Sequence, residues 1–557
     1  MYCSFLRFLK PEKEQNNPSC FARTTQQERK GLPVTEPREY TCYYVLASKG
    51  IQDYILRGDK LKLMIGGSEV VDRLPEKLAG RLLVSMGLSE GEDFLFLSRT
   101  AGGARILFAR KEYAQRFSEL LPPAFSLYAP GLDFVQFFSE IRGNLAETMD
   151  EAEKTLAVRR NLAFPSYPAP GPLVERSPRS GLPSAGILRL SGGNREEADL
   201  SMLIKSSAAE EAKTGLAHKT LPEARGGKPY ELPLSFEELT GEGNNDIAVV
   251  HIDGNGLGNV VSSLFKELKG HASPAECYGA FCAAVQDATE LSLREALAPV
   301  IEAHEKEASP GSPLPFRPLV CAGDDVTVVL RAEYAVQFAA DYFLSFEKHS
   351  EDKLSLIGIH SLEEHLPLTA CAGIAFVKKT FPFSQAYELC ESLCRFAKDR
   401  TKRKCSALAF WRLTSGKGED FDAILERELT ITHSVKEEST TVLTMMPYSA
   451  GTRATGPTVD QLLNLRDAVK SMPRGGLRSL LSELFTGKEA AVQSFKRYLD
   501  VNRTEREVSR SGGAKKLEKL LSALEALTGN TEGNALFAGN ATPLYDAVEL
   551  ISAERSS

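Results

Sequence analysis

DIAVVHIDGNGLG, residues 246–258, and FRPLVCAGDDVTVVL, residues 316–330, are the two stretches that decide the fold. DIAVVHI reads as a buried strand because it is short, apolar and rich in β-branched residues. Asp253 follows at once, so its carboxylate sits at the sheet edge facing the loop. Gly254, Gly256 and Gly258 leave backbone N–H groups free to approach an anion, and a helix begins there, an arrangement suited to phosphates. A glycine-rich turn after a strand is, by itself, ordinary turn chemistry. The second stretch reads as a hairpin with Ala322, Gly323, Asp324 and Asp325 at its tip. Acids at a hairpin tip are commonly solvated turn residues. Here both flanks, PLVC and VTVVL, are apolar, which places the acids at the rim of a packed sheet. Like charges held side by side repel, and a hard divalent cation relieves that.

Around these stretches, residues 246–412 read as one α/β unit. A helical region follows Leu257, the hairpin comes next, and Glu333 to His349 is amphipathic. LTACAGIAFV is a strand, PFSQAYELCESLCRFAKDRTK a helix and SALAFWRL a last strand. The order is βα–ββ–αβ with an appended helix and strand, which predicts an antiparallel sheet covered by helices. Three oxygen-donor carboxylates, Asp253, Asp324 and Asp325, with no histidine ligands beside them, suit Mg²⁺ or Mn²⁺. Lys398 follows the apolar face of its helix and is placed to reach inward to triphosphate oxygens. Lys402, Arg403 and Lys404 beyond it complement the helix dipole.

Further out, residues 40–160 echo this unit. TCYYVLA is a strand candidate, the stretch from Asp53 to Met86 has helical spacing, and FLFLSRTAGGARILFA is a hairpin around Gly102 and Gly103. Its tip carries no acid. Residues 1–39 read as a polar, disordered extension. Residues 161–245, with proline-rich FPSYPAPGPLVERSPRSGLP, read as a linker or insertion with little core of its own. Residues 416–557 have helical patterning and predict a small bundle.

The chain has 557 residues, 42% hydrophobic and 25% charged, with a net charge of −7. That is not the balance of a protein coated in nucleic acid, although net charge leaves a local basic groove open. No run of about 18 apolar residues occurs, which predicts no membrane span, and the first residues are too short in apolar length for a signal peptide. The ten cysteines form no CxxC pair, so a reducing cytoplasm and no zinc site are expected.

HIDGNGLG and AGDD, about 70 residues apart, resemble the catalytic palm of the large polymerase subunit of type III CRISPR effector complexes, a palm related to nucleotide cyclases. KGIQDYILRGDKLKLMIGGS resembles the opening of that family's first, non-catalytic palm. LTACAGIAFVKKTFPFSQAYELCESLCRFAK resembles the end of the second. LTMMPYS, the helices from Thr458 to Asp500 and TPLYDAVEL resemble its C-terminal part. The resemblance implies an α+β fold: two ferredoxin-like, nucleotide-cyclase-like palm domains (40–160 and 246–415) and a C-terminal helical bundle. It implies catalytic and metal-binding Asp253, Asp324 and Asp325. It also implies a nucleotide site of Gly254, Asn255, Gly256, Leu257, Gly258, Gly323 and Lys398.

The implied activity is a metal-dependent nucleotidyltransferase that joins ATP, or another NTP, into linear or cyclic oligoadenylates for antiviral defence. Guide RNA and other effector subunits are the implied partners. Two departures stand out. The family pattern is Gly-Gly-Asp-Asp, and Ala322 replaces its first glycine. There is no His-Asp dipeptide, so the HD nuclease found in many members is not expected. The alternative reading is a non-catalytic scaffold subunit with a residual nucleotide site.

Overall fold

The computed structural model describes residues 40–162, 171–189, 194–211, 216, 220–221, 230–240, 246–309, 311–413, 420–433, 439–508 and 513–554. The expected N-terminal extension lies outside them. The described residues divide into two compact units: 40–49 with 73–162, and 50–72 with everything from 171 onward.

The first unit is built on β1 (Cys42–Lys49), β2 (Phe94–Thr100), β3 (Gly103–Phe108) and β4 (Asp133–Glu140). They form an antiparallel sheet of order β2-β3-β1-β4. CYYVLA is buried from end to end, as a central strand requires. Helices Lys111–Tyr128 and Leu145–Arg160 pack against this sheet. Tyr44, Phe108 and Phe117 meet edge-on or tilted in its core.

The second unit begins with α1 (Ile51–Leu56) and α2 (Leu61–Asp72). The stretch read as a linker contributes real structure to it. β5 (Gly186–Arg189) and β6 (Arg195–Ala198) pair, and α3 (Leu200–Glu211) packs on α2. Leu63, Leu188, Ala198 and Met202 form their shared core. The apolar partner of this stretch lies far upstream, which is why its local proline-rich texture reads as coreless.

The main sheet comprises β7 (Asp246–Gly254), β8 (Phe316–Ala322), β9 (Asp325–Arg331), β10 (Ala370–Lys378) and β11 (Ser406–Arg412). The short strands β12 (Thr430–His433) and β13 (Ser439–Val442) pair separately, and β14 (Tyr448–Ala450) joins the main sheet, giving the order β14-β11-β10-β7-β9-β8. The sequence after 416 is therefore not helical throughout. β11 would otherwise present unpaired backbone groups at Ser406–Leu408, and Tyr448–Ala450 pairs with them.

Helices α4 (Leu257–Leu268), α5 (Pro274–Glu307), α6 (Ala335–Leu354) and α7 (Phe383–Arg400) accompany the main sheet. α5 and α6 pack on each other, while α7 lies against β10, β7 and β11. Among the residues that α7 buries, Phe383, Ala386, Tyr387, Cys390, Cys394, Ala397 and Lys398 have the helical spacing of one face. The remaining helices are Val459–Lys470, Arg474–Leu484, Lys488–Val508, Gly513–Thr528 and Leu544–Glu554. No helix among the described residues is long and apolar enough to cross a membrane.

Candidate functional site

β7 is paired on both sides, with β10 and with β9, so its end is fixed within the sheet. Asp253 stands opposite Cys371 of β10. On the other side it falls one step beyond the Ile252–Val326 pair, beside Asp325. The strand ends at Gly254, and Gly256, with φ +70°, caps α4 in the left-handed region that favours glycine. Asn255 anchors the intervening turn. Its N–H donates to the Thr369 carbonyl (2.8 Å), and Nδ2 donates to Thr369 Oγ1 (3.0 Å) and the Cys405 carbonyl (3.1 Å). The backbone N–H groups of Leu257 and Gly258 belong to the first turn of α4, where anions are favoured.

The β8–β9 tip is equally constrained. Ala322 pairs with Asp325, leaving Gly323 and Asp324 as a two-residue turn. Gly323 takes φ +63°, as a primed hairpin turn demands. Ala322 is not among the residues with positive φ, so alanine fits there without strain. α5 grips the turn peptide from both ends: Gly323 N–H donates to Gln286 Oε1 (2.8 Å), and Thr289 Oγ1 donates to the Gly323 carbonyl (2.6 Å).

The two motifs meet at Gly254. A Cβ there would lie 2.9 Å from Asp324 Cβ and 3.1 Å from its Cγ, so Asp324 occupies the space that any larger residue would fill. Lys398 completes the meeting. Its buried Nζ donates to Asp253 Oδ2 and to the Gly254 carbonyl (2.8 Å). α7 comes this close because Gly373 of β10 has no side chain: a Cβ there would lie 2.8 Å from both the Cys390 carbonyl carbon and the Cys394 nitrogen.

Asp325 has a different setting. Gln52 Nε2 of α1 donates to its Oδ2 (2.9 Å), and its Oδ1 faces His251 Nδ1 at 3.4 Å. His251 Nδ1 is also 3.3 Å from Thr327 Oγ1 and 3.5 Å from the Tyr387 hydroxyl. Burial holds the His251 imidazole below its ordinary pKa, favouring the neutral form. Burial, and then the Asp253 carboxylate, push Asp324 up to about 6 and Asp325 up to about 7. Three carboxylates, Asp253, Asp324 and Asp325, thus share this end of the sheet with the Lys398 ammonium.

Asp253, Asp324, Gly254 and Lys398 are brought into contact, while Asp325 is turned into the Gln52–His251 network. Among the described residues, no group of three or more His, Cys, Asp or Glu side chains is arranged to hold a metal ion. Gln52, Gln286, Thr289 and Gly373 are supports that motif reading missed. Gln52 sits beside Asp53 at the start of IQDYIL, so its sequence setting gives no signal of a buried partner.

No protein-family model and no curated protein matches the chain. Solved structures similar to it include the Csm1–Csm4 cassette in complex with cA4, at 15% identity, covering 93% of this chain and 70% of that one, with a TM-score of 0.47. Csm1 in T. onnurineus is 14% identical, with 94% and 70% covered and a TM-score of 0.49. The Csm1–Csm4 subcomplex of a type III-A CRISPR-Csm interference complex is 14% identical, with 93% and 70% covered and a TM-score of 0.48. Over most of its length, then, the chain is similar to Csm1 structures, at 14–15% identity and TM-scores of 0.47–0.49.

Proposed function

We propose that the end of the main sheet is a palm-type nucleotidyltransferase site that binds ATP, or another NTP, with Mg²⁺ or Mn²⁺. On this reading the protein joins nucleotides into linear or cyclic oligoadenylates as a subunit of a CRISPR-type antiviral effector. The four-stranded sheet is then a non-catalytic palm, and the C-terminal helices form the accompanying helical domain.

The observation that carries the reading is the convergence of both motifs on Gly254: Asp324 packs over it while Lys398 bridges its carbonyl and Asp253. The donor set fits a hard cation. Mg²⁺ is commonly held by only one or two carboxylates, with substrate phosphates and water completing its shell. A site with no three-residue ligand set among the described residues is compatible with that mode. Burial, and then the neighbouring Asp253 carboxylate, raise Asp324 and Asp325, and a cation would offset the charge of these carboxylates. When bound, the ion would supply charge to the triphosphate and lower the pKa of the attacking 3′-hydroxyl.

The chain's own groups bind and orient. The N–H groups from Gly256 to Gly258 receive phosphate oxygens at the start of α4. Lys398 fixes Asp253 and offers a buried positive charge at this end of the sheet. Gly323, locked by Gln286 and Thr289, keeps the acid pair at a fixed height.

The test is incubation with each labelled NTP and Mg²⁺ or Mn²⁺, alone and with the products of neighbouring genes. The wild type is expected to form phosphodiester products that the Asp324→Ala, Asp325→Ala double variant does not. Absence of product from every NTP replaces this reading with the scaffold subunit. Equal product from the double variant shows that the site is elsewhere.

A further inference from the structure

Gln52 is separated from Asp325 by 273 residues, yet the two side chains are hydrogen bonded. The segment that carries Gln52 leaves the four-stranded sheet after β1 and becomes part of the second unit. It is anchored there at several points. Lys205 of α3, only 1% exposed, donates through Nζ to the carbonyls of Tyr54 and Arg57 at the end of α1, and lies 4.1 Å from the centre of the Tyr54 ring. Gly66 of α2 admits the Lys205 backbone, whose Cα would lie 3.0 Å from an added Cβ. Glu69 of α2 is buried and interacts electrostatically with the buried Arg317 of β8, the strand that leads to the acid-bearing tip. α1 is therefore held from several sides, and Gln52 is presented to Asp325 by a fixed element.

The two adjacent acids have unlike surroundings. Asp324 lies over Gly254, next to Asp253 and Lys398. Asp325 is hydrogen bonded by Gln52 through Oδ2, while its buried Oδ1 makes no hydrogen bond and lies 3.4 Å from His251 Nδ1. Asp324 thus shares the Gly254 end of the site with Asp253, while Gln52 takes one oxygen of Asp325 and fixes how that carboxylate is turned.

We infer that Gln52 is a positioning residue of the site: it holds Asp325 as the support of the hairpin tip and leaves Asp253 and Asp324 as the carboxylates that meet a cation and its nucleotide. This rests on the nucleotidyltransferase reading, and it assigns segment 50–72 a part in the chemistry.

The experiment is a double-mutant cycle of Gln52→Leu and Asp325→Asn, with Asp324→Asn for contrast. It is read as kcat and KM for ATP, melting temperature, and Mn²⁺ binding by the electron paramagnetic resonance of the free ion. Gln52→Leu is expected to lower kcat about 10- to 100-fold, the usual effect of removing a supporting partner, with KM within about threefold. Adding Asp325→Asn should lower kcat no more than about twofold below the worse single variant, and the melting temperatures should be equally non-additive. Mn²⁺ binding should survive Asp325→Asn within about tenfold and be lost in Asp324→Asn. Gln52→Asn, which keeps the amide but shortens its reach, carries the same expectation if the leucine variant does not fold. Unchanged kcat, multiplicative losses in the double variant, or equal loss of Mn²⁺ in both aspartate variants would overturn the inference. If the wild type makes no product, the nucleotidyltransferase reading has failed, while Mn²⁺ binding and melting still decide the role of Gln52.

Discussion

The tips of the β2–β3 and β8–β9 hairpins can be compared position by position, because their sheets share a plan. The order β2-β3-β1-β4 repeats as β8-β9-β7-β10, with every neighbour antiparallel. In the first sheet Ala47 pairs with Gly103 beside the tip. In the second, the matching places hold Asp253 and Asp325. Three residues beyond Ala47 and Asp253 come Gly50, with φ +65°, and Gly256, with φ +70°, each capping a helix. The backbone devices are the same, but the matching places hold Ala47 and Gly103 in the first sheet and two acids in the second. The first sheet instead pairs Arg105 with Glu153, a cation already matched by its own acid. Topology alone therefore assigns no chemistry; the side chains at equivalent ladder positions do.

The largest effect should come from making the second tip resemble the first. Asp324→Ala, Asp325→Ala should cut turnover about 10³-fold or more, since charge stabilisation supplies much of the barrier reduction. ATP affinity should fall much less, because the start of α4 and Lys398 remain; fluorescence titration with an ATP analogue checks this. Gly254→Ala should come next. The added methyl meets Asp324, and overpacking of this kind costs about 1–3 kcal/mol, measurable by denaturant unfolding. No comparable loss is expected from alanine at Gly258, where an added Cβ meets nothing within 4 Å.

The third contrast is in pH dependence. Asp324 and Asp325 rise from 3.8 to about 6 and about 7, so the folded state holds protons that the unfolded chain has released. Their contribution to stability is greatest below about pH 4 and is lost as pH rises to about 7. Without divalent cations, the wild type should therefore lose more melting temperature between about pH 5 and about pH 8 than Asp324→Asn, Asp325→Asn does. Buried Asp546, which accepts from Tyr448, Thr444 and Met445, is also raised to about 7, but it is present in both proteins and cancels in the difference. The smallest effect should follow Ala322→Gly. The backbone at Ala322 needs no left-handed conformation, so glycine there should change activity little and cost about 0.5–1 kcal/mol of stability through chain entropy.

Much of this arrangement was legible in the chain. DIAVVHI, the AGDD hairpin and the helix through Lys398 each carry a local signal, either period, turn chemistry or apolar flanks. The contacts between them carry none. Gln52 falls just before the stretch from Asp53 to Met86 that reads as helical, within residues grouped with the first sheet, and no periodicity reveals a partner 273 residues away. Gly373 reads as one small residue in a strand, yet it sets how near α7 comes and hence whether Lys398 reaches Asp253. Tyr448–Ala450 reads as the approach to a helical region, and it becomes a strand because β11 has an open edge. Local pattern specifies elements; long-range packing decides which polar groups become partners.

A crystal grown with a non-hydrolysable ATP analogue and Mn²⁺ tests the central claim most directly. The account predicts anomalous density for manganese beside Asp253 and Asp324, with the triphosphate along Gly256–Gly258, and none near Ala47 and Gly103. Manganese in the first sheet, or a nucleotide bound away from Gly254, would contradict it.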